Sequence, residues 1–237
     1  ETLYFKINGT LPENVMAKDL ILKIIGDIGT DGGAGMAMEF GGSGIADMSV
    51  ESRLTLTNMT TEAGAKNGII ESDQKVIDYL AERGETNFSA IKGDDDASYA
   101  KIYEYEASEM EPIVAKPFSP ENVAVVRETS SIELDKAYIG SCTGAKMVDL
   151  EAAAKILKGR TVKIRTEILP AAISIYKKVP LFCRALPVRR WNIYYTCMLE
   201  PVQVLHFKSC ISDHEFIIIL SKTVLKLKRN LNIISAL

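Results

Sequence analysis

Cys142 stands in the run Gly140-Ser141-Cys142-Thr143-Gly144, directly after the apolar Ala137-Tyr138-Ile139. A thiol between the end of a strand and the start of a helix is favoured as thiolate by backbone N–H groups, and α/β sheets bind ligands at such places. Glycines on both sides let another group approach the backbone closely. A ligand or nucleophile fits this position, and so does an inert buried cysteine. A second pair is Asn58 and Glu62. Ser49 can cap a helix that Gly64 ends, and Thr55, Asn58, Met59 and Glu62 then fall at i, i+3/i+4 spacing, with Asn58 and Glu62 on one face. An exposed polar face is the ordinary reading of such a pair. The glycine-rich loops point nowhere specific: Gly33-Ala34-Gly35 lacks the third glycine of a dinucleotide fingerprint, and Gly140 to Lys146 lacks the spacing and the Ser/Thr of a P-loop. No histidine, CxxC or Ser-His-Asp arrangement occurs before Val179.

The elements that would position these residues can be read from periodicity. Thr2 to Ile7 alternates as a strand and runs into a turn at Asn8-Gly9. Val15, Leu20, Ile21, Ile24, Ile25 and Ile28 form the stripe of a half-buried helix, ended by the glycines of Asp31 to Gly35, with a strand over Met36 to Phe40. Ser72 and Gly84 bracket a helix over Asp73 to Arg83, Glu85 to Asp96 reads as a loop, and Tyr99 to Glu106 as a strand. Pro112, Pro117 and Pro120 mark an irregular crossing. The short strand before Cys142 leads to a helix capped by Asp149 and running through Leu157, and Val162 to Ile164 starts the next strand. That order is a βαβ unit and calls for an α/β fold with a parallel sheet.

The chain of 237 residues carries a formal charge of −3, which offers no strong field for nucleic acid or anionic lipid. Apolar runs such as Phe216 to Leu220 fall far short of the ~20 residues of a membrane span. Four cysteines without clustered spacing do not form a disulfide framework. Composition changes near Lys178. All 16 glycines precede it, whereas residues 179–237 hold both histidines, the single tryptophan and three of the four cysteines. Eight Lys/Arg against three Asp/Glu give that stretch +5 and leave the first 178 residues at −8. The sequence expectation is that 179–237 is an unrelated tail arising from a failed reading frame or splice boundary. An opening inside a strand, with no targeting segment before it, reads as an internal fragment.

Taken together, Ala17 to Gly26, Met38-Glu39-Phe40, Thr57-Asn58-Met59 through Glu62 to Gly68, Met110 to Pro117, and Tyr138-Ile139-Gly140-Ser141-Cys142-Thr143-Gly144 resemble the aconitase superfamily. Within it they are most similar, over residues 1–178, to the 3-isopropylmalate dehydratase large-subunit family of the plant type. The glycine at 144, where most relatives carry asparagine, is similar to the plant form, whereas Phe118 stands where plant relatives usually place a histidine. The resemblance implies three-layer αβα domains, incomplete at both ends of this chain: residues 1–10 ending a missing domain, 11–130 a middle α/β domain, and 131–178 the start of a further domain carrying the cluster cysteine. It implies a [4Fe–4S] cluster with Cys142 as one of three thiolate ligands and Ser141 and Thr143 beside it, Asn58 near cluster and substrate, and Glu62 in the acid/base network. The implied reaction is dehydration and rehydration of 2-isopropylmalate to 3-isopropylmalate in leucine biosynthesis, at an iron left open as a Lewis acid. The implied partners are a small subunit and a hydroxy-acid substrate, not nucleic acid or a membrane. Localisation follows the source: plastid stroma for a plant or alga, otherwise cytoplasm. Other hydro-lyases of the superfamily, such as homoaconitase, and a non-catalytic fragment that binds a partner subunit are the competing readings. The other two cluster cysteines of the family come from a CxxC that this sequence does not contain, so the chain as written is expected to hold no cluster and to be inactive. An interrupted domain is also expected to expose apolar sheet surface and to favour aggregation.

Overall fold

A computed structural model describes residues 1–158, 160 and 163–176, together with the backbone of Trp191–Ile193. The chain divides into two compact units, Glu1–Ile132 and Glu133–Leu237. Apart from Trp191–Ile193 and the division itself, the expectation for 179–237 falls outside the described residues. Among the described residues no helix is long and apolar enough to cross a membrane.

The first unit is built on a parallel sheet of four strands, β1 (Thr2–Asn8), β2 (Ala37–Gly41), β3 (Asn67–Ile70) and β4 (Lys101–Glu106), in the order β3-β2-β1-β4. Residues 1–10, assigned on sequence to the end of a preceding domain, instead supply an inner strand: β1 is bonded to β2 on one side and to β4 on the other. Its alternation explains why. Leu3, Phe5 and Ile7 are buried, while Tyr4 and Lys6 point to the other face. Phe5 stacks on Phe40 at 5.4 Å and on Tyr103 at 5.0 Å. Helix α1 (Ala17–Ile28) covers this side with Leu20, Ile21, Ile24 and Ile25, each fully buried and each contributing roughly 1.5–3 kcal/mol. The opposite face leaves Ile69 and Ile102 exposed.

Two helices follow β2: a short α2 (Ser43–Asp47) and α3 (Val50–Asn58). Ser49 caps α3 by accepting the Ser52 N–H at 3.2 Å. At Asn58 the winding tightens into a 3-10 helix over Met59–Ala63, which Gly64 ends in the left-handed conformation, φ 77°. Helix α4 (Gln74–Ala81) is capped by Asp73, which accepts the Val76 N–H. The proline-rich crossing holds an antiparallel hairpin, β5 (Ile113–Ala115) with β6 (Val123–Val125).

The glycine loop after β2 serves backbone contacts. A Cβ on Gly42, φ 97°, would sit 2.3 Å from the Ile7 carbonyl oxygen, and one on Gly44 would sit 2.7 Å from that of Gly9. This loop is therefore laid against the end of β1, where Ser43 Oγ also accepts the Gly9 N–H.

Arg53 fixes α3 from below. It is buried, and its guanidinium donates to the carbonyls of Ile45 and Ala46 and, at 2.5 Å, to the Asp73 carboxylate. Lys75 donates to the carbonyls of Ala46 and Asp47. The C-terminal carbonyls of α2 are thus collected by two cations. The hydrogen bond from Arg53 holds the Asp73 carboxyl below its ordinary range, against the opposing effect of its burial. A carboxyl lowered in the folded state stabilises it fully above the ordinary carboxylate range, and that contribution is lost as pH falls through the lowered value. Arg53→Met is expected to cost about 2–3 kcal/mol in urea unfolding and to flatten the acid side of the stability profile.

The second unit opens with β7 (Lys136–Ile139), helix α5 (Met147–Leu157) and β8 (Arg165–Ile168). β7 and β8 are parallel, and β9 (Trp191–Ile193) continues the sheet. The βαβ unit read from sequence is present, with two shifts. Asp149 is the third helical residue, not the cap: its carboxylate accepts the Lys146 N–H at 2.9 Å. The strand begins at Arg165, after Lys163 and Ile164, and the expected start at Val162 lies outside the described residues. On β8, Glu167 is buried and paired with Lys136 at 2.6 Å and Arg165 at 3.0 Å.

Candidate functional site

Asn58 and Glu62 belong to the first unit; Ser141, Cys142 and Thr143 belong to the second.

The α3 and 3-10 run buries Thr55, Leu56, Met59, Thr60 and Ala63, which turns Asn58, Thr61 and Glu62 to its outward side. Asn58 is exposed and Glu62 half-buried. Continuous α winding would set Glu62 nearly over Asn58. The 3-10 turn advances about 120° per residue and eclipses positions three apart, so Thr61 lies over Asn58. Its hydroxyl lies 3.2 Å from the Asn58 carbonyl and 2.9 Å from Glu62 Oε2. One proton serves both acceptors, and the shorter contact to a carboxylate is the stronger. The run is buttressed from behind: Gly33 N–H donates to the Ala63 carbonyl at 2.8 Å and Lys66 N–H to that of Met36 at 2.9 Å. A Cβ on Gly33 would meet that of Ala65 at 2.9 Å, so the glycine cluster after α1 is the seat of this turn.

In the second unit, β7 delivers the chain into a loop bracketed by two non-glycine residues in left-handed conformations, Ser141 at φ 83° and Ala145 at φ 53°. Each costs on the order of 1–2 kcal/mol. Between them Cys142 is exposed, whereas Thr143 is buried. The Ser141 and Thr143 hydroxyls are 3.0 Å apart, and Thr143 N–H donates to Ser141 Oγ. Gly144 N–H closes the turn on the Ser141 carbonyl at 3.3 Å. A Cβ on Gly144 would lie 2.6 Å from the Gly140 carbonyl oxygen, so a side chain there would require this loop to shift. In this chain the Cys142 thiol is at the surface.

As a donor for iron the Cys142 thiol fits one ligand position, being accessible, soft and set between glycines. Among the described residues it is the one cysteine, and no group of three His, Cys, Asp or Glu side chains is placed to hold a metal ion. The described residues therefore do not assemble a cluster's donor set.

A cleft of about 400 Å³ on the first unit is lined by Tyr4, Glu39, Glu71, Lys92, Asp94 and Tyr99, and does not include Asn58 or Glu62. Tyr99 donates to Glu39 at 3.0 Å and stacks on Tyr4; burial, followed by the Glu39 carboxylate, pushes its phenol up to about 12. Nothing in the periodicity singles out these residues, since Tyr99 and Glu39 meet only through the pairing of distant strands.

The aconitase family (aconitate hydratase) model matches residues 1–131. The chain is 46% identical over 180 residues to the 3-isopropylmalate dehydratase large subunit of Heliobacterium modesticaldum, covering 75% of this chain and 43% of that protein. It is 45% identical over 179 residues to large subunit 2 of the same enzyme in Archaeoglobus fulgidus, covering 74% and 43%. It is 43% identical over 189 residues to the chloroplastic large subunit of Arabidopsis thaliana, covering 79% and 36%. The chain thus spans less than half the length of these relatives.

Proposed function

The chain belongs to the aconitase family, and from that premise we propose that it is part of a 3-isopropylmalate dehydratase large subunit. The activity is isomerisation of 2-isopropylmalate to 3-isopropylmalate by loss and return of water. The observation that carries this reading is the strained, glycine-flanked loop that brings the Cys142 thiol to the surface at the end of a parallel strand. Backbone strain of this kind gathers at functional sites. The identity to dehydratase large subunits, extending through this loop, supports it.

In this reading Cys142 holds one iron, with Ser141 and Thr143 shaping the loop around it. When bound, the cluster supplies an iron that acts as a Lewis acid. Asn58 offers an amide donor and a carbonyl acceptor to the substrate's oxygens. Glu62, with the Thr61 hydroxyl against its carboxylate, belongs to the network that moves the proton. Residues 11–130 correspond to the middle domain of the complete subunit, and residues 131–178 to the start of the domain that carries the cluster cysteine. The partner is the enzyme's small subunit. The compartment is the plastid stroma for a plant or algal source and the cytoplasm otherwise.

A chimera tests this. Residues 1–178 replace the matching segment of a complete large subunit, which is reconstituted with its small subunit and offered 2-isopropylmalate, homocitrate and citrate in competition. A kcat/KM preference for 2-isopropylmalate of at least tenfold is expected. A folded, cluster-loaded chimera that prefers another hydroxy acid would overturn the substrate assignment.

A further inference from the structure

The face of the first sheet that α1 does not cover carries two neighbouring carboxylates, Glu39 of β2, in register with Tyr4 of β1, and Glu71, one residue beyond β3. The polar run after α4 is fastened to this face at two points. Gly93 N–H donates to Glu71 Oε1 at 2.7 Å, and Tyr99 ends the run with its hydrogen bond to Glu39 and its stack on Tyr4. A Cβ on Gly93 would stand 3.1 Å from Glu71 Oε1 and 3.9 Å from Glu39 Oε1, so its backbone rests against both carboxylates. Between Thr86 and Ser98 the Gly93 bond is, among the described residues, the one hydrogen bond that ties the run to the rest of the unit. No apolar anchor takes its place: Phe88 is exposed, and Ile91 is 81% exposed. Asp94 and Asp95 line the same cleft as Glu39 and Glu71, and their like charges press the run away from the face. A segment with one exposed tie and no buried side chain lies at the low end of local stability.

We propose that residues 85–98 are a strap over the open face of the first sheet, with Glu71 as its latch. While Glu71 holds the Gly93 amide, the strap covers the cleft of about 400 Å³ beside Tyr4; release of that contact frees Lys92 to Asp95 and opens the cleft, with the Tyr99 end still fastened. The bond is charge-assisted, which makes it the stronger kind of hydrogen bond, yet it lies at the surface where water competes for both groups. That combination suits a contact that closes and opens. The strap does not rest on the dehydratase reading.

The test is brief digestion of the full chain with trypsin, followed bond by bond by mass spectrometry in wild type and Glu71→Ala. Glu71 is exposed, so its truncation leaves the core intact. The nitrogen of the Lys92–Gly93 bond is the one that Glu71 holds, so the protease reads the latch directly. Cleavage there is expected to rise at least threefold. Arg83–Gly84, exposed but outside the latch, and Arg53–Leu54, inside α3, are expected to keep their wild-type rates. Hydroxyl-radical footprinting reads the cleft: labelling of Tyr4 and Tyr99 is expected at least to double, while Tyr103, stacked on Phe5 on the other face, stays constant. Unchanged cleavage after Lys92 would overturn the latch, and faster cleavage without added labelling of Tyr4 and Tyr99 would overturn the cover. An equal rise at all three bonds reports lost global stability and would overturn both.

Discussion

Anaerobic incubation of the 237-residue chain with ferrous iron, sulfide and reductant is expected to leave it without a stoichiometric [4Fe–4S] cluster. A site-differentiated cluster of this family takes three thiolates. Cys142 is the single cysteine in the first 178 residues; the remaining three, Cys183, Cys197 and Cys210, are spaced by 14 and 13 residues. A CxxC pair brings two thiolates to one cluster through local geometry alone. Cysteines a dozen residues apart do so only if a fold selected for that purpose returns the chain to the same point. Iron and acid-labile sulfide are assayed after desalting, with Cys142→Ser beside the wild type. Low iron that is unaffected by Cys142→Ser marks non-specific binding. A full cluster's complement that disappears in Cys142→Ser would show that the tail supplies ligands, and would sink the prediction.

Gly42→Ala is expected to have the largest effect on stability. Two costs coincide at this position. A φ of 97° with ψ near 173° is a backbone state that essentially only glycine adopts, at about 1–3 kcal/mol for other residues. The new methyl group would also stand 2.3 Å from the Ile7 carbonyl oxygen, on a strand bonded from both sides and unable to retreat. Overpacking against a fixed group adds roughly 1–3 kcal/mol. The sum approaches the whole stability of an ordinary domain. Gly35→Ala is the control. It shares a positive φ of 77°, but its Cβ would meet nothing within 4 Å, so only the conformational cost of about 1–2 kcal/mol applies. Urea unfolding followed by circular dichroism should rank the two far apart. Equal losses would mean that the contact with β1 is not what requires Gly42.

The sequence reveals elements wherever one physical signal dominates. The stripe of α1 and the alternation of β1 and β4 are hydrophobic patterns that tertiary packing reinforces, and they appear within a residue or two of the expected limits. β3 escapes because Asn67-Gly68-Ile69-Ile70 is short, and Gly68 is there for packing: a Cβ would lie 2.7 Å from the Thr57 backbone. The hairpin of β5 and β6 is hidden by the prolines that flank it. The burial of Arg53 follows from the carbonyls of α2, a helix that the sequence gives no reason to draw. At the candidate site the motif around Cys142 identifies the residues, and the Ser49 and Gly64 bracket places Asn58 and Glu62 on one run. The change from α to 3-10 winding at Asn58 is invisible to periodicity, because five residues sample too little angle to separate 100° from 120° per residue.

The placement of β1 inside the first sheet has a consequence for synthesis on the ribosome. Leu3 pairs with Lys101 and Asn8 with Glu106, each across 98 residues. The block from β1 to β3 is complete once Ile70 has emerged, yet the outer edge of β1 then stands open for a further 36 residues. At roughly 5–20 residues per second this amounts to about 2–7 s for each nascent chain. An unpaired parallel edge is a template for wrong partners. On a polysome, where identical chains emerge side by side, that interval is when this unit is most exposed to mispairing, and slower translation between codons 70 and 106 would lengthen it.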